Sequence, residues 1–374
     1  MGSPGRTPLT DHLVDRIARD GPLTFAAFME ACLYHPEHGY YTRRVPAPGP
    51  RDYVTSPEVG PLFGRLLAWQ LQEMWERMGQ PTGFDLVECG AGRGALAGAI
   101  LETVQTKAPD FAAALRVTLV EVSPRLREQA QASLKTHGDR VRAAERLPAG
   151  VSGCLLSNEL VDALPVHRVA QRAGGLREIY VSARNGELVE IEGEPSSPAL
   201  ARYLERYGGP LQEGQQAEVN LAALAWLDEA ARALERGFLL TIDYGYRARE
   251  LYGAAHQRGT LLAYREHRTS EDWLSKPGEQ DLTAQVNFTA LEARGRELGL
   301  TALGYVPQAQ FLLALARASG LVERLEREAD TSETRATRNQ LKQLVHPEGM
   351  GEAFKVLVQA KGVDAATLSG LQPL

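Results

Sequence analysis

A glycine-rich loop between two acidic strand ends is the segment of this sequence best suited to chemistry. Residues 88–94 read Glu-Cys-Gly-Ala-Gly-Arg-Gly, after an apolar strand predicted over residues 84–89 and before a helix predicted over residues 95–107. Gly90, Gly92 and Gly94 permit a tight turn and a close approach of the backbone to a ligand. Open parallel sheets bind ligands beyond the carboxyl ends of their strands, so this loop is a candidate cofactor site.

The loop is compatible with two classes of cofactor. With Ala95 it matches the dinucleotide pattern G-x-G-x-x-A. Glu88, however, stands just before the glycines, where a carboxylate would attract the methionine ammonium of S-adenosylmethionine (SAM) and repel a pyrophosphate. Glu121 ends the next predicted strand and can accept hydrogen bonds from both ribose hydroxyls, as an acid would in either class. No later segment indicates hydride transfer. We therefore predict SAM as the cofactor, bound by Glu88, Gly90, Gly92, Gly94, Glu121 and Val122.

Three acidic residues follow the ends of two later predicted strands. Glu159 and Asp162 come after a strand over residues 153–157, and Asp243 ends a strand over residues 237–243. Methyl transfer requires alignment of the nucleophile and exclusion of water, and converging carboxylates could orient a cationic methyl acceptor. We therefore predict these three acids as the catalytic residues. The alternative is that Asp162 caps a helix and Asp243 stabilises a turn.

Two polar residues complete the predicted cofactor site. Asn158 resembles the polar residue that contacts SAM at this point in many methyltransferases, although an asparagine that merely forms a turn is an alternative. Ser56 begins a helix-start signal, Ser-Pro-Glu over residues 56–58. The polar segment 53–58 is predicted to fold over the cofactor, with Ser56 in contact. Alternatively, Thr55 and Ser56 only cap the helix.

Strand–helix alternation from residue 83 onward predicts an α/β protein with a Rossmann-like, mostly parallel sheet. We expect a helical N-terminal segment over residues 1–80, packing on a catalytic core over residues 81–374, with insertions at about 167–219 and 265–288. Within the first insertion, alternation over residues 167–193, with turns at 174–175 and 185–186, predicts an antiparallel meander. Thr10 is expected to cap the first helix. A strand over residues 354–358 is expected to close the sheet edge.

Composition excludes several classes of protein. The net charge of −6 argues against a nucleic-acid partner. The three cysteines are far apart, which predicts buried thiols rather than disulfides or a zinc cluster. His35, His38 and His267 lack metal-ligand spacing, so no metal is expected. The sequence contains no run of 18 apolar residues, so no membrane span is predicted. The first ten residues lack an apolar leader, so a cytoplasmic location is expected by default.

A set of motifs is spread along most of the chain. They are Tyr-His-Pro-Glu-His-Gly-Tyr-Tyr at 34–41, Tyr-Val-Thr-Ser-Pro-Glu at 53–58, the glycine loop, Ser-Asn-Glu-Leu-Val-Asp-Ala-Leu-Pro at 157–165, Ile-Asp-Tyr-Gly-Tyr at 242–246, Gly-Thr-Leu-Leu-Ala-Tyr-Arg-Glu-His at 259–267, Pro-Gly-Glu-Gln-Asp-Leu-Thr at 277–283, Gln308 with Phe311-Leu312, and Met350-Gly351 with Phe354-Lys355. In these motifs the chain resembles the MidA-type methyltransferases over residues 25–361. It departs from them at Gln285 and Asn287, where the family usually has histidine and aspartate.

The resemblance implies a class I SAM-dependent methyltransferase, with insertions covering the substrate site. The family includes the mitochondrial complex I assembly factor that methylates an arginine of a core complex I subunit. The resemblance therefore implies arginine N-methylation of a protein substrate with an exposed arginine, such as a complex I type subunit. Two alternatives remain: a small-molecule O- or N-methyltransferase on the same scaffold, and a non-catalytic SAM-binding assembly factor. The oligomeric state stays open, with a homodimer among the options.

Overall fold

The structure, a computed structural model, describes residues 6–43, 56–266, 268–364 and 367–374, and for Glu58 the backbone alone. The predictions made for residues 53–55 and for His267 lie outside this range. Contacts divide the chain into two compact units. The meander unit comprises Met1–Tyr53, Val161–Trp226 and Gly245–Ala293, and the glycine-loop unit comprises Val54–Leu160, Leu227–Tyr244 and Arg294–Leu374.

The helices of the described residues are short to medium in length. In chain order they are α1 (Pro8–Asp20), α2 (Phe25–Tyr34), α3 (Tyr40–Arg43), α4 (Ser56–Val59), α5 (Leu62–Arg77), α6 (Ala95–Lys107), α7 (Pro109–Ala114), α8 (Pro124–Ser133), α9 (Ala199–Tyr203), α10 (Leu221–Ala233), α11 (Ala248–Leu251), α12 (Phe288–Glu297), α13 (Gln308–Ala318), α14 (Leu321–Arg327), α15 (Ser332–Val345) and α16 (Met350–Ala353). No helix in these ranges has the length and apolar character needed to cross a membrane.

The strands of the described residues form three sheets. In chain order they are β1 (Leu23–Thr24), β2 (Phe84–Cys89), β3 (Leu115–Val120), β4 (Val141–Ala144), β5 (Val151–Asn158), β6 (His167–Arg172), β7 (Gly175–Arg184), β8 (Glu187–Gly193), β9 (Gln216–Val219), β10 (Leu234–Tyr246), β11 (Leu262–Arg265), β12 (Arg268–Ser270), β13 (Asp281–Thr283), β14 (Val286–Asn287), β15 (Thr301–Pro307) and β16 (Phe354–Lys361).

The glycine-loop unit is built on one large sheet with the order β15-β16-β10-β5-β2-β3-β4. Strands β10, β5, β2, β3 and β4 run parallel, so their carboxyl ends meet at one edge of the sheet. Helix α5 packs against α6 in the apolar core of this unit. A Cβ atom added to Gly64 would lie 2.5 Å from Cβ of Ala99, so the glycine permits this close helix contact. The α/β class predicted from the strand–helix alternation is therefore present.

The meander unit contains the other two sheets. Its five-stranded sheet has the path β1-β7-β6-β9, with β8 on the other side of β7, and all these pairs are antiparallel. Its three-stranded sheet has the order β12-β11-β13. Helices α1 and α2 contribute Leu9, Leu13, Phe25 and Phe28 to a buried cluster of this unit. Thus α1 and α2 belong to the meander unit and α5 to the glycine-loop unit, while the predicted domain boundary at residue 80 and the two insertions remain predictions.

Several element predictions can be compared with the structure. The antiparallel meander over residues 167–193 is confirmed, with its second turn at 185–186 as predicted and its first at 173–174, because Gly175 already pairs with Arg172 at the start of β7. The first helix begins earlier than expected, because Thr7 is its N-cap. Thr10 lies inside the helix and completes the capping box, since its side chain accepts from the Thr7 N–H. The strand expected to close the sheet is β16, but it lies between β10 and β15. The edge strand β15 was not predicted from the sequence. Its residues are partly exposed along its length and a bulge at residues 302–304 interrupts it, so it lacks a regular apolar pattern.

Candidate functional site

The glycine loop connects β2 to α6 with backbone conformations that favour glycine. Gly90, Gly92 and Gly94 all have positive φ angles, of 73°, 53° and 76°. The N–H groups of Gly90 and Ala91 donate to the Val120 carbonyl at 2.8 and 3.1 Å, which fixes the loop against the end of β3. A Cβ atom at Gly92 would have no protein atom within 4 Å, so this glycine borders open space. The loop thus presents bare backbone at the carboxyl edge of the sheet, as a cofactor cradle requires.

Two buried carboxylates flank this loop. Glu88 Oε2 accepts a hydrogen bond from the Ala97 N–H at 3.2 Å. Glu121 accepts from the N–H of Gly92 at 3.0 Å and from that of Ser123 at 2.9 Å. The pKa of Glu88 is raised to about 8. Burial is the main cause and the charge of the nearby Glu121 adds to it, while the hydrogen bond from the Ala97 N–H lowers the pKa. Burial also raises the pKa of Glu121. The negative charge of these carboxylates is poorly solvated, which suits a site that receives a cationic ligand.

The Glu88 carboxyl is expected to make stability fall as the pH rises. Its pKa is about 8 in the folded protein and 4.5 in its ordinary state, so between these values the folded protein holds a proton that the unfolded chain has released. The free energy of unfolding should therefore decrease from about pH 4.5 to about pH 8, by up to about 1.4 kcal/mol per pH unit. Urea unfolding of the ligand-free wild-type protein and of Glu88→Gln across this pH range measures how much of the decrease in the free energy of unfolding is due to Glu88. Parallel pH profiles for the two proteins would contradict the assignment.

Two further residues of the predicted cofactor site lie at the same sheet edge. Val122 follows Glu121 and is 58% exposed, which leaves an apolar surface for a flat ring. Asn158 ends β5, the strand next to β2. Its Oδ1 atom is buried and, among the described residues, has no hydrogen-bond partner. A buried acceptor of this kind is satisfied by a ligand donor or an ordered water. The carboxylates, the bare loop and this acceptor fit the ammonium and hydroxyl groups of SAM.

The turn after β5 places Glu159 beside the glycine loop. Glu159 has a φ angle of 53°, unusual for a residue with a side chain, and its N–H donates to the Ile242 carbonyl at 3.0 Å. Its Oε1 atom accepts from the Ser56 N–H at 3.1 Å and from Asn158 Nδ2 at 3.0 Å. A Cβ atom at Gly90 would lie 3.0 Å from Cδ1 of Leu160, so this turn packs directly on the loop. The structure therefore brings Glu159, Asn158 and Ser56 together near the glycines.

Asp243 holds the same turn from the neighbouring strand. The residue is fully buried near the end of β10. Its Oδ2 atom accepts from the Leu160 N–H at 3.2 Å, and its Oδ1 atom accepts from the Tyr244 N–H at 3.0 Å. Both of these hydrogen bonds orient backbone, which is the turn-stabilising role set out as the alternative for this residue. Asp243 thereby fixes the backbone that carries Glu159.

Asp162 belongs to the meander unit, unlike the other two predicted catalytic acids. It is buried, and its main-chain carbonyl accepts from the Ala284 N–H at 3.1 Å. In the same unit, Asp281 is fully buried and accepts the Tyr41 hydroxyl at 2.9 and 3.0 Å. Burial raises the pKa of Tyr264, and the charges of Asp162 and Asp281 raise it further. The role of Asp162 in catalysis stays a prediction.

Gln308 is a site residue that the sequence analysis noted only within a motif. It is fully buried at the start of α13. Its Oε1 atom accepts from Ser56 Oγ at 3.2 Å, and its Nε2 atom donates to the Leu344 carbonyl at 3.2 Å. One signal was available in the sequence: the buried Phe311 and Leu312 follow three and four positions later, which places an amide on the apolar face of a helix.

Comparisons with known proteins agree on one family. A family model described as an S-adenosyl-L-methionine-dependent methyltransferase matches residues 66–306. Human protein arginine methyltransferase NDUFAF7, mitochondrial, is 30% identical and aligns with 93% of this chain and 82% of its own. The homolog from Drosophila melanogaster is 29% identical, over 97% and 87%. A Burkholderia thailandensis protein, crystallised with S-adenosyl-homocysteine, superposes with a TM-score of 0.87 at 31% identity, covering 99% of this chain and 97% of that one.

These comparisons confirm four predictions and overturn one. The family resemblance, the class I α/β fold, the SAM cofactor and the assignment as a SAM-dependent methyltransferase are confirmed. The predicted cytoplasmic location is wrong, because the relatives from fly, human and rat are all named mitochondrial. That prediction was a default from the absence of an apolar leader and of a membrane span, and neither absence specifies a compartment.

Proposed function

Because this chain belongs to the family of S-adenosyl-L-methionine-dependent methyltransferases, we propose that it methylates an arginine side chain of a protein. The curated relatives are named protein arginine methyltransferases. The observation that carries the proposal is the Glu159 carboxylate, fixed by the Ser56 N–H and by Asn158 Nδ2 beside the glycine loop. A guanidinium is always charged and presents parallel N–H donors, so a positioned carboxylate is its natural partner.

The proposed cofactor residues are those that line the loop edge of the large sheet. Glu88 meets the ammonium group of SAM, Glu121 the ribose hydroxyls, and Val122 the adenine. The backbone of Gly90, Gly92 and Gly94 accommodates the methionine portion, while Asn158 and Ser56 complete the site. When bound, SAM supplies a methyl group on a positively charged sulfur.

The proposed role of Glu159 is to orient the guanidinium and to offset its charge. A guanidinium nitrogen gains the methyl group and loses one proton, while the sulfur of SAM takes the bonding electron pair and becomes neutral. The product side chain stays cationic, so a single proton must leave the site, and we assign the Glu159 carboxylate as its acceptor. Asp243 acts indirectly, through Glu159, because its carboxylate accepts a hydrogen bond from the Leu160 N–H and so fixes the backbone of the turn.

The proposal is tested by methyl transfer from tritium-labelled SAM to an extract of cells that lack this protein. We expect label in a protein band, and methylarginine after acid hydrolysis of that band. Label confined to the small-molecule fraction would replace the proposal with a small-molecule methyltransferase. Binding of S-adenosyl-homocysteine without any transfer of label would replace it with a SAM-binding assembly factor.

Replacing Glu121 with alanine is expected to weaken SAM binding by roughly 1–3 kcal/mol, the worth of charge-assisted hydrogen bonds to the ribose. Calorimetry with SAM and with NAD on the wild-type protein and the variant measures this loss. Glu102→Ala is the control, since its side chain is exposed on α6 in the same unit. Unchanged SAM affinity in Glu121→Ala would contradict the ribose assignment, and a rise in the wild-type melting temperature with NAD but not with SAM would contradict the SAM site itself.

A further inference from the structure

We propose that Gln308 is a positioning residue for methyl transfer: its amide fixes Ser56, and Ser56 in turn fixes the Glu159 carboxylate. This inference rests on the proposed function, in which Glu159 orients the substrate guanidinium. Its basis is a chain of three hydrogen bonds that runs from a helix end to the reacting region within the glycine-loop unit.

The Gln308 amide is held at both of its ends. Nε2 donates to the Leu344 carbonyl at 3.2 Å, and Oε1 accepts from Ser56 Oγ at 3.2 Å. Leu344 lies in the last turn of α15, where carbonyl groups have no partner within the helix. The Gln308 amide therefore pairs with a carbonyl at the end of α15, and this hydrogen bond fixes the orientation of the amide. Because Gln308 is fully buried, water does not compete for either bond.

Ser56 transmits this orientation with two different groups. Its side-chain hydroxyl donates to Gln308, and its backbone N–H donates to Glu159 Oε1 at 3.1 Å. The hydroxyl bond restrains the first residue of α4, and so it restrains the direction of the backbone N–H. Ser56 itself is fully buried, which leaves its hydroxyl few other partners.

The residue at the end of this chain needs such restraint. Glu159 has a φ angle of 53°, a conformation that costs free energy for a residue with a side chain. The Asn158 amide is its direct neighbour in sequence and moves with it, whereas Ser56 is 103 residues away and gives an independent anchor. A misplacement of about 1 Å in a group that orients a substrate can slow a reaction about 10²-fold.

The test compares Gln308→Met with Gln310→Met on the same helix. Methionine keeps the volume and the apolar packing at position 308 but removes both hydrogen bonds. Gln310 is partly exposed, with one long contact of 3.4 Å to the Gln372 carbonyl. With tritium-labelled SAM and the labelled protein band as readout, we expect Gln308→Met to reduce the transfer rate at saturating SAM about tenfold or more. Its affinity for S-adenosyl-homocysteine should stay within about twofold of wild type, and Gln310→Met should match wild type in both.

The decisive measurement is made in the Glu159→Gln background. If Gln308 acts through Glu159, then Gln308→Met should lower the rate of the Glu159→Gln protein by less than about twofold. An equal loss in both backgrounds would show a structural role only and would overturn the inference. Ser56→Ala removes the same hydrogen bond from its other end and should reproduce the loss of transfer rate seen in Gln308→Met, while the affinity criterion applies to Gln308→Met alone because Ser56 belongs to the proposed cofactor site. It also serves if the methionine variant does not fold, as judged by its melting temperature.

The outcomes separate this inference from the proposed function. Normal transfer by Glu159→Gln would contradict the proposed function, and this inference would fall with it. A slow Glu159→Gln protein together with normal rates for both Gln308→Met and Ser56→Ala would overturn the positioning role alone.

Discussion

Replacing Glu159 with glutamine is expected to lower the rate of methyl transfer by a factor of about 10² or more, while SAM affinity stays nearly unchanged. Glutamine keeps the size of the side chain and an oxygen that can accept from the Ser56 N–H. It loses the negative charge that offsets a permanent cation and the ability to accept a proton. The defect should therefore appear in turnover rather than in cofactor binding.

Two measurements test this expectation. Calorimetry with S-adenosyl-homocysteine gives the cofactor affinity, and the rate of tritium transfer to protein gives the turnover. Glu102→Gln, an exposed change on α6 in the same unit, is the matched control and should behave as wild type in both. Unchanged turnover in Glu159→Gln would remove the reason to prefer an arginine over a neutral acceptor, and only the SAM-dependent fold would remain.

The parts of the site that depend on neighbours in sequence could be predicted. The glycine loop lies between β2 and α6 as expected, because an apolar run, three glycines and a helical pattern follow one another directly. The parallel strands then place Glu88 and Asn158 at one sheet edge, since β2 and β5 are adjacent.

The parts that depend on distant contacts could not be predicted. Ser56 meets Glu159 across 103 residues and Gln308 across 252, and no local pattern specifies such pairs. The positive φ angle of Glu159 is likewise set by the Ile242 carbonyl and the Asp243 carboxylate of another strand, not by its own sequence. The sequence predicts all three acids near strand ends as catalytic, with a capping or turn-stabilising alternative for the two aspartates. The structure distinguishes Asp243, which binds backbone N–H groups, from Glu159, which is held by Ser56 and Asn158.

Replacing Gly92 with valine is expected to abolish measurable SAM binding in a protein that still folds. No protein atom lies within 4 Å of a Cβ added at Gly92, so the valine would enter the open space that is proposed for the ligand. The positive φ angle adds backbone strain of roughly 1–3 kcal/mol, which lowers stability but does not by itself prevent binding. These two effects must be separated by a control that has only the strain.

Gly79→Val provides that control. Gly79 has a φ angle of 86° and no protein atom within 4 Å of an added Cβ, as at Gly92, but it follows the end of α5 and lies outside the glycine loop. Both variants should lose a similar amount of stability in urea unfolding, because both place a β-branched residue in a left-handed conformation. In calorimetry only Gly92→Val should lose S-adenosyl-homocysteine. Equal affinities of Gly92→Val and Gly79→Val for S-adenosyl-homocysteine would mean that the glycine loop does not contact the cofactor, because the valine at position 92 would not have interfered with it.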